Sequence, residues 1–421
     1  MQLHWKIIIG LVAGVIFGFF SSINNLGTFS TNYIAPFGTI FLNLLKLIAV
    51  PLVVSSLITG VASLSDTSKL SRIGLKTISL YLITTAIAVT IGLVLVNIIE
   101  PGNYVPDSYQ EFLSEDSTSQ AFDKKQQASS LKENRGPLQP LVDMVPSNAF
   151  NAMSNNSNML QVVFFSIIFG IAIIGIDKKF SQPVLSFLEG INQTIIRLVE
   201  LIMNFAPFGV FALIVKTFSM ISGDLAYITG ILQALLIYMS VVILGLLSHV
   251  MITYTTLLKF FSNIKLKDFF SKMIPVQLVA FSTSSSGATL PVTMKRCEKD
   301  LGVSEEISSF VLPLGATINM DGTALYQGVA AVFIAQALGV DLTISNQFTI
   351  VATAVLASIG TAGVPGAGVV MLIIILEAIN VPSEGIALIL GVDRILDMIR
   401  TSANVTGDAA IATIIDSSEK S

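Results

Sequence analysis

Read as a pattern of apolar and polar positions, the chain is a series of long apolar blocks. Residues 7–45, 77–99, 225–258 and 342–376 contain no Asp, Glu, Lys or Arg. Each block is at least as long as the roughly 20 residues a helix needs to cross the hydrocarbon of a bilayer. Every backbone N–H and C=O at that depth must find its partner inside the protein, so blocks of this length predict transmembrane α-helices. The first block runs well past the apolar length of a signal peptide and has no small-residue cleavage site, so it reads as a span and not a cleaved leader.

Two stretches break the pattern. "VAFSTSSSGATLPVTM" (279–294) and "LASIGTAGVPGAGVVM" (356–371) lie in apolar surroundings yet are crowded with Ser, Thr, Gly and Pro. Close helix–helix contact through small residues accounts for either stretch alone. Non-helical backbone at membrane depth, which survives only when buried in protein or lining a watery cavity, accounts for the pair. Each is followed by a span studded with polar groups, one holding "NMDGT" (319–323) and the other "DRILDMIRTSANVTGD" (393–408). An interrupted hairpin followed by a polar span, occurring twice, predicts an inverted repeat with a binding site where the hairpin tips meet at mid-membrane.

The last of these spans concentrates charge. On a 3.6-residue helix Asp393, Asp397, Arg400, Thr401, Asn404 and Asp408 form one continuous stripe, while Ile395, Leu396, Ile399 and Ala403 lie largely off it. Asp393, a turn outside the core of the stripe, reads as an anchor for the helix. Each Asp or Arg at a helix centre costs about 2.5–3.5 kcal/mol on insertion scales, so the group could cost on the order of 10 kcal/mol without partners. Asp397 and Arg400, three residues apart, compensate each other in part. A ladder of structural ion pairs would use such charges, but not the surrounding hydroxyls, amides and glycines. A site for a zwitterion and cations uses all of them.

Composition changes the picture only by sharpening it. Of 421 residues, 53% are hydrophobic and 12% charged, and the mean hydropathy is +0.79, which places the chain among polytopic helical membrane proteins. A net charge of −4 gives no reason to invoke nucleic acid. The single Cys297 excludes an internal disulfide framework, and His4 and His249 lie too far apart in sequence to suggest a transition-metal site. Basic residues cluster at Lys6, at Lys69, Arg72 and Lys76, at Lys178 and Lys179, at Lys259, Lys265, Lys267 and Lys272, and at Lys295, Arg296 and Lys299. Such clusters in short loops mark the cytoplasmic side. Residues 101–136, long, mixed in charge and Ser/Gln-rich, read as a flexible external loop, and both termini are then cytoplasmic.

The same residues bear on two other functional classes. Asp321 and Asp408 could form the carboxylate dyad of an intramembrane aspartyl protease, but the Tyr-Asp and Gly-x-Gly-Asp motifs of such enzymes are absent and the arginine and asparagine on the stripe suit ligand holding. A channel with a Ser/Gly filter would bind too tightly for fast conduction with a carboxylate and a guanidinium facing its site.

Four ordered blocks, "STSSSGATLP" (282–291), "LPLGATINMDGTALYQG" (312–328), "ASIGTAGVPGAG" (357–368) and "DMIRTSANVTGD" (397–408), carry a strong resemblance to the glutamate/aspartate transporter family of dicarboxylate/amino acid:cation symporters. Weaker similarity extends over nearly the whole chain. The resemblance implies an all-α polytopic fold with eight transmembrane helices, two re-entrant helical hairpins and an inverted-repeat transporter core. Residues 1–136 would hold the N-terminal spans and external loop, with the third span adding to a cation site. Residues 137–258 would hold spans four to six, and 259–421 the transport core.

The resemblance also assigns residues. Asp397 would take a substrate α-ammonium and Arg400 the side-chain carboxylate through its planar fork. Thr401 and Asn404 would add polar contacts, and Ser285, Ser286 and Thr323 would cradle the α-carboxylate. Val364 would offer its carbonyl to the ammonium. Sodium, a hard cation, prefers oxygen ligands. One family-like site would use Asp408, Asn404 and the carbonyls of Gly315 and Asn319. A second would use Asp321 and Asn319 with Tyr81, Thr84 and Thr85, and a third the carbonyls of Thr317, Ser358, Ile359 and Thr361.

The aspartate at 397 sets the chain apart from dicarboxylate carriers of the family and the arginine at 400 from neutral amino acid carriers, so aspartate or glutamate is the expected substrate. Bacterial relatives use sodium or protons, and the intact "NMDGT" and "NVTGD" favour sodium. Co-transported sodium, no organic cofactor, a homotrimer in the lipid of the cell (inner) membrane, and 357–368 as the extracellular gate complete the expectation. One departure stands out. Archaeal relatives carry an arginine where this chain has Ser284, and animal relatives one where it has Met398. Arg394, one turn before 398, is the candidate to supply the missing cation, against the alternative that it snorkels to the external interface.

Overall fold

The computed structural model describes residues 3–24, 26–62, 68–106, 145–154, 158–219, 225–359 and 366–420. Among the described residues every regular element is helical. We number the principal helices α1 (Leu3–Ile23), α2 (Ala35–Ala62), α3 (Ser68–Ile99), α4 (Met159–Ile174), α5 (Lys178–Ser219), α6 (Leu225–Ser248), α7 (Leu266–Thr283), α8 (Ser286–Lys299), α9 (Glu305–Ile318), α10 (Asp321–Ala337), α11 (Ile344–Ile359), α12 (Ala367–Ala378) and α13 (Ile386–Lys420). Four helical stretches, Gly27–Ala62, Ile73–Tyr104, Lys178–Lys216 and Thr229–Phe261, are long and apolar enough to cross a membrane, and Ile9–Ile23, Gln161–Ile174, Ile344–Ser358 and Ala367–Ala378 are shorter apolar helices. Large side chains such as Ile16, Phe187 and Leu236 face outward, as expected of surfaces solvated by lipid.

The helices sort into two packed groups. α2 and α5 form an extensive contact, with α1 against α5 and α4 against α2. α3 and α6 pack instead with the C-terminal half: α3 lies along α10, α6 contacts α3, α10 and α13, and α13 runs between α7, α9 and α10. α13 is therefore central, and its second half is buried on all sides, including Ala403 and residues 409–412. The apolar positions off the predicted stripe are thus not uniformly outward. Ile395 is exposed, but Leu396 is buried.

The first interruption sits where the Ser/Thr/Gly-rich stretch 279–294 predicted it. α7 ends at Ser284, which adopts the left-handed φ of 50°, and Ser285 then caps α8 by accepting from the Ala288 N–H at 3.2 Å. α9 stops at Asn319 and α10 restarts at Asp321. The free N–H of Gly322 in the first turn of α10 is satisfied from another helix, by Asn404 Oδ1 of α13 at 2.8 Å. Backbone contact makes this possible, since a Cβ on Gly322 would sit 2.7 Å from the Arg400 carbonyl oxygen. α11 and α12 flank residues 360–365, which lie outside the described set.

Candidate functional site

All six members of the α13 stripe are buried. Towards its N-terminal end, Arg400 donates from Nη1 to Asp393 Oδ1 and from Nε to Asp397 Oδ1, both at 3.0 Å. Its Nη2 lies 3.0 Å from the same Asp397 oxygen as an ion-pair contact. The guanidinium stacks 4.1 Å from the centroid of the Tyr326 ring on α10, the planar cation over an aromatic face. Asp397 Oδ2 also accepts from Arg394 Nη1 and from the Gly366 N–H, each at 3.4 Å. Asp393 is thus a full partner of Arg400 and does more than anchor the helix. Two carboxylates and two guanidiniums balance in one cluster, buried except for the half-buried Arg394. On its other side, Asp393, Arg394 and Asp397 border a small cavity walled by Ile7, Phe41 and Met203 of the first helix group.

One to two turns further along α13 the company changes. Asp408 Oδ1 accepts from Asn319 Nδ2 at 2.8 Å and lies against the α9 backbone, where a Cβ on Gly315 would be 2.5 Å from it. Asp321, at the start of α10, accepts from Thr85 Oγ1 on Oδ1 at 2.5 Å and from Tyr254 Oη on Oδ2 at 2.6 Å. Thr85 Oγ1 also lies 2.7 Å from the Tyr81 carbonyl, which Thr84 approaches at 3.1 Å. One hydroxyl proton cannot serve both acceptors of Thr85, so three oxygens converge there without enough protons between them. Asn319 Oδ1 is buried with no hydrogen-bond partner. Surplus buried acceptors beside a carboxylate are what a hard monovalent cation requires. The Tyr81 hydroxyl itself donates to the Val311 carbonyl at 3.1 Å.

Asn404 bridges the two ends. Its Nδ2 donates to Thr323 Oγ1 at 3.2 Å while its Oδ1 holds the Gly322 amide. Thr401 donates to the Asp397 carbonyl of its own helix at 2.7 Å. Ser286 is buried at the start of α8. Thr317 closes α9, and Ser358 and Ile359 close α11, where the last four carbonyls of a helix lack intrahelical donors. Thr361 and Val364, with the rest of residues 360–365, fall outside the described residues. The near side of that hairpin is in place: Gly366 has φ 85°, and Gln327 Nε2 donates to the Gly368 carbonyl at 3.1 Å.

Four polar residues of this site were not singled out by sequence reasoning. Tyr326 and Gln327 lie three and four residues beyond "NMDGT", within the 312–328 block, and carried a signal there. His249 and Tyr254 did not, because they reach Asp321 through a local departure from α-helical winding.

The geometry fits what comparison with known proteins shows. A profile of the sodium:dicarboxylate symporter family matches residues 3–418. The chain belongs to that family. Among its relatives, the proton/sodium-glutamate symport protein of Bacillus subtilis is 37% identical over 97% of this chain and 91% of its own length. The proton/glutamate-aspartate symporter of Escherichia coli is 34% identical over 98% and 92%. Excitatory amino acid transporter 3 of Mus musculus is 35% identical over 99% and 86%. As a member of a symporter family this multi-pass membrane protein is a transporter and not an enzyme, and the protease reading of Asp321 and Asp408 falls away.

Proposed function

We propose that the chain is a secondary active symporter carrying aspartate or glutamate into the cell with sodium, by alternating access gated by the 357–368 hairpin. The observation that carries this reading is the division of the buried stripe into an arginine-balanced half and a half of carboxylates among neutral oxygen donors. In the first half, the substrate ammonium takes the place of the guanidinium at Asp397, and the Arg400 fork, released from that carboxylate, turns to the substrate's side-chain carboxylate. Ser285, Ser286, Thr323, Thr401, Asn404 and the Val364 carbonyl hold the remaining polar groups. In the second half, sodium takes the surplus acceptors: Asp321, Asn319, Thr84, Thr85 and the Tyr81 carbonyl at one site, and Asp408, Asn404 and the Gly315 and Asn319 carbonyls at another. The carbonyls of Thr317, Ser358, Ile359 and Thr361 form a third. Eight spans and two re-entrant hairpins, domains at 1–136, 137–258 and 259–421, cytoplasmic termini in the cell (inner) membrane and a homotrimer belong to the same reading. The resemblance of the whole chain supports them.

A proton-coupled carrier is the second reading, favoured by the Escherichia coli relative, a proton/glutamate-aspartate symporter, while the Bacillus subtilis relative carries both ions in its name. Uptake of labelled aspartate into proteoliposomes under an inward sodium gradient, an inward proton gradient, or neither separates the two. Accumulation under sodium alone is the expected outcome. Accumulation that follows only the proton gradient assigns the coupling to protons.

A further inference from the structure

His249 is buried just past the end of the apolar helix α6, and its Nε2 lies 3.1 Å from Asp321 Oδ2. Tyr254, five residues on, donates to the same oxygen at 2.6 Å. On an α-helix, residues five apart point about 140° away from each other and could not meet at one atom. Here α6 runs directly into a π-turn over His249–Tyr254, and the wider winding brings both side chains round to one side. Their rings meet edge to face with centroids 4.7 Å apart. Single π-turns inside helices are uncommon and concentrate at functional sites. Across the turn, Gly407 of the "NVTGD" segment makes room for the tyrosine: a Cβ there would overlap Tyr254 Oη and approach Asn319 Nδ2 to 2.8 Å.

We propose that the π-turn is a positioning device for the cation site, in which His249 and Tyr254 together hold Asp321 as a one-oxygen ligand. The inference rests on the sodium-coupled reading given above. An ionised carboxylate only accepts, so the imidazole faces it as an N–H donor from Nε2, and His249 Nδ1 has no partner of its own. With two donors on Oδ2, that oxygen is occupied and the carboxylate cannot rotate. Oδ1 is left on the side of Thr85 and the Tyr81 carbonyl. A carboxylate offering one oxygen suits a small monovalent ion, whereas calcium sites commonly use both oxygens of a carboxylate. His249 acts through Asp321 and is a positioning residue for sodium, in the way that outer hydrogen-bond partners of metal ligands fix their orientation.

The test is sodium-dependent uptake of labelled aspartate by the full-length protein in proteoliposomes, with the wild type, His249→Leu, His249→Gln and Tyr254→Phe. Loss of an outer-shell partner typically costs about 10–100-fold in metal affinity. His249→Leu is expected to raise the half-saturating sodium concentration about tenfold, with the maximal rate reached at high sodium. His249→Gln, whose amide N–H spans a similar reach, is expected to stay within about threefold of the wild type. Tyr254→Phe removes one oxygen without opening a cavity, and reads the same carboxylate if the leucine variant does not assemble. It is expected to shift sodium dependence in the same direction. A sodium-dependent wild type with unchanged dependence in His249→Leu or Tyr254→Phe overturns the positioning role alone. So does a glutamine variant as impaired as the leucine one, which reduces His249 to packing. A wild type indifferent to sodium overturns the coupling reading and this inference with it.

Discussion

The two ends of the polar stripe on α13 handle buried carboxylates in opposite ways. At residues 393–400, Asp393 and Asp397 each meet an arginine within 3.4 Å, and charge is balanced within a single helix. At Asp408 and the neighbouring Asp321 the partners are an asparagine amide, a threonine, a tyrosine and an imidazole. Among the described residues neither of these two carboxylates has a lysine or arginine ion pair. A buried ion without a counter-charge is far more expensive than a paired one. On the sodium-coupled reading proposed above, the contrast separates a region whose compensation is built into the protein from one whose compensation arrives with the cargo. A substrate that carries both signs would exchange with the first, and cations would complete the second.

The strongest way to break this contrast is to neutralise the second region. Asp321→Asn and Asp408→Asn should each weaken sodium binding on the order of a hundredfold or more, since a charged ligand contributes more than the outer partners whose loss costs about 10–100-fold. Aspartate binding should weaken with it through linkage. Titration of sodium against aspartate uptake reads both, and unchanged sodium dependence in both variants would remove the two residues from that role.

In the first region the built-in balance makes a different prediction. Arg400→Ala leaves Asp393 and Asp397 buried with only Arg394 between them, and breaking such a pair costs about 3–5 kcal/mol. Adding Asp393→Asn should recover part of that stability without recovering aspartate binding. Thermal unfolding in detergent, paired with aspartate binding, separates the two effects. A smaller loss is expected at the close approach that serves the cation end. Gly407→Ala overpacks Tyr254 and Asn319, at a typical cost of about 1–3 kcal/mol, and Tyr254→Phe in the same protein should return part of it.

The smallest expected effect belongs to Arg394. Its contact with Asp397, at 3.4 Å, is the longest of the ion pairs in the cluster, so Arg394→Ala should slow transport severalfold more than it weakens equilibrium aspartate binding. Arginine placed at Ser284 or Met398 should restore part of the rate. Wild-type kinetics in Arg394→Ala would return this side chain to simple snorkelling.

Much of this arrangement was legible in the sequence, for physical reasons that differ by element. The α13 stripe follows from a 3.6-residue period and the cost of charge in an apolar chain, and all of its members are buried as that cost requires. The break at Ser284 falls where Ser, Thr and Gly cluster in apolar surroundings, whereas the break at Asn319 interrupts a span that read as one helix through "NMDGT". What escaped was of three kinds: a pairing two turns apart, the surroundings of one helix, and winding that is not α-helical. The pairing of Asp393 with Arg400 runs seven residues along one helix, and a turn-by-turn count placed Asp393 outside the core of the stripe. The central position of α13, which buries Leu396 as well as the stripe, depends on how many helices surround it. His249 and Tyr254 were hidden by the π-turn, because periodicity assumes α-helical winding and places residues five apart on different faces. The 360–365 segment, with Thr361 and Val364, stays an expectation.

The most direct test of the division of labour is equilibrium binding measured separately for the two cargoes. Sodium binding in the absence of aspartate, and aspartate binding at saturating sodium, would be determined for the wild type, Arg400→Ala and Asp408→Asn by calorimetry. The account predicts that Arg400→Ala keeps sodium affinity near that of the wild type and loses aspartate, whereas Asp408→Asn loses sodium itself. Equal loss of sodium binding in both variants, or sodium affinity untouched in Asp408→Asn, would contradict it.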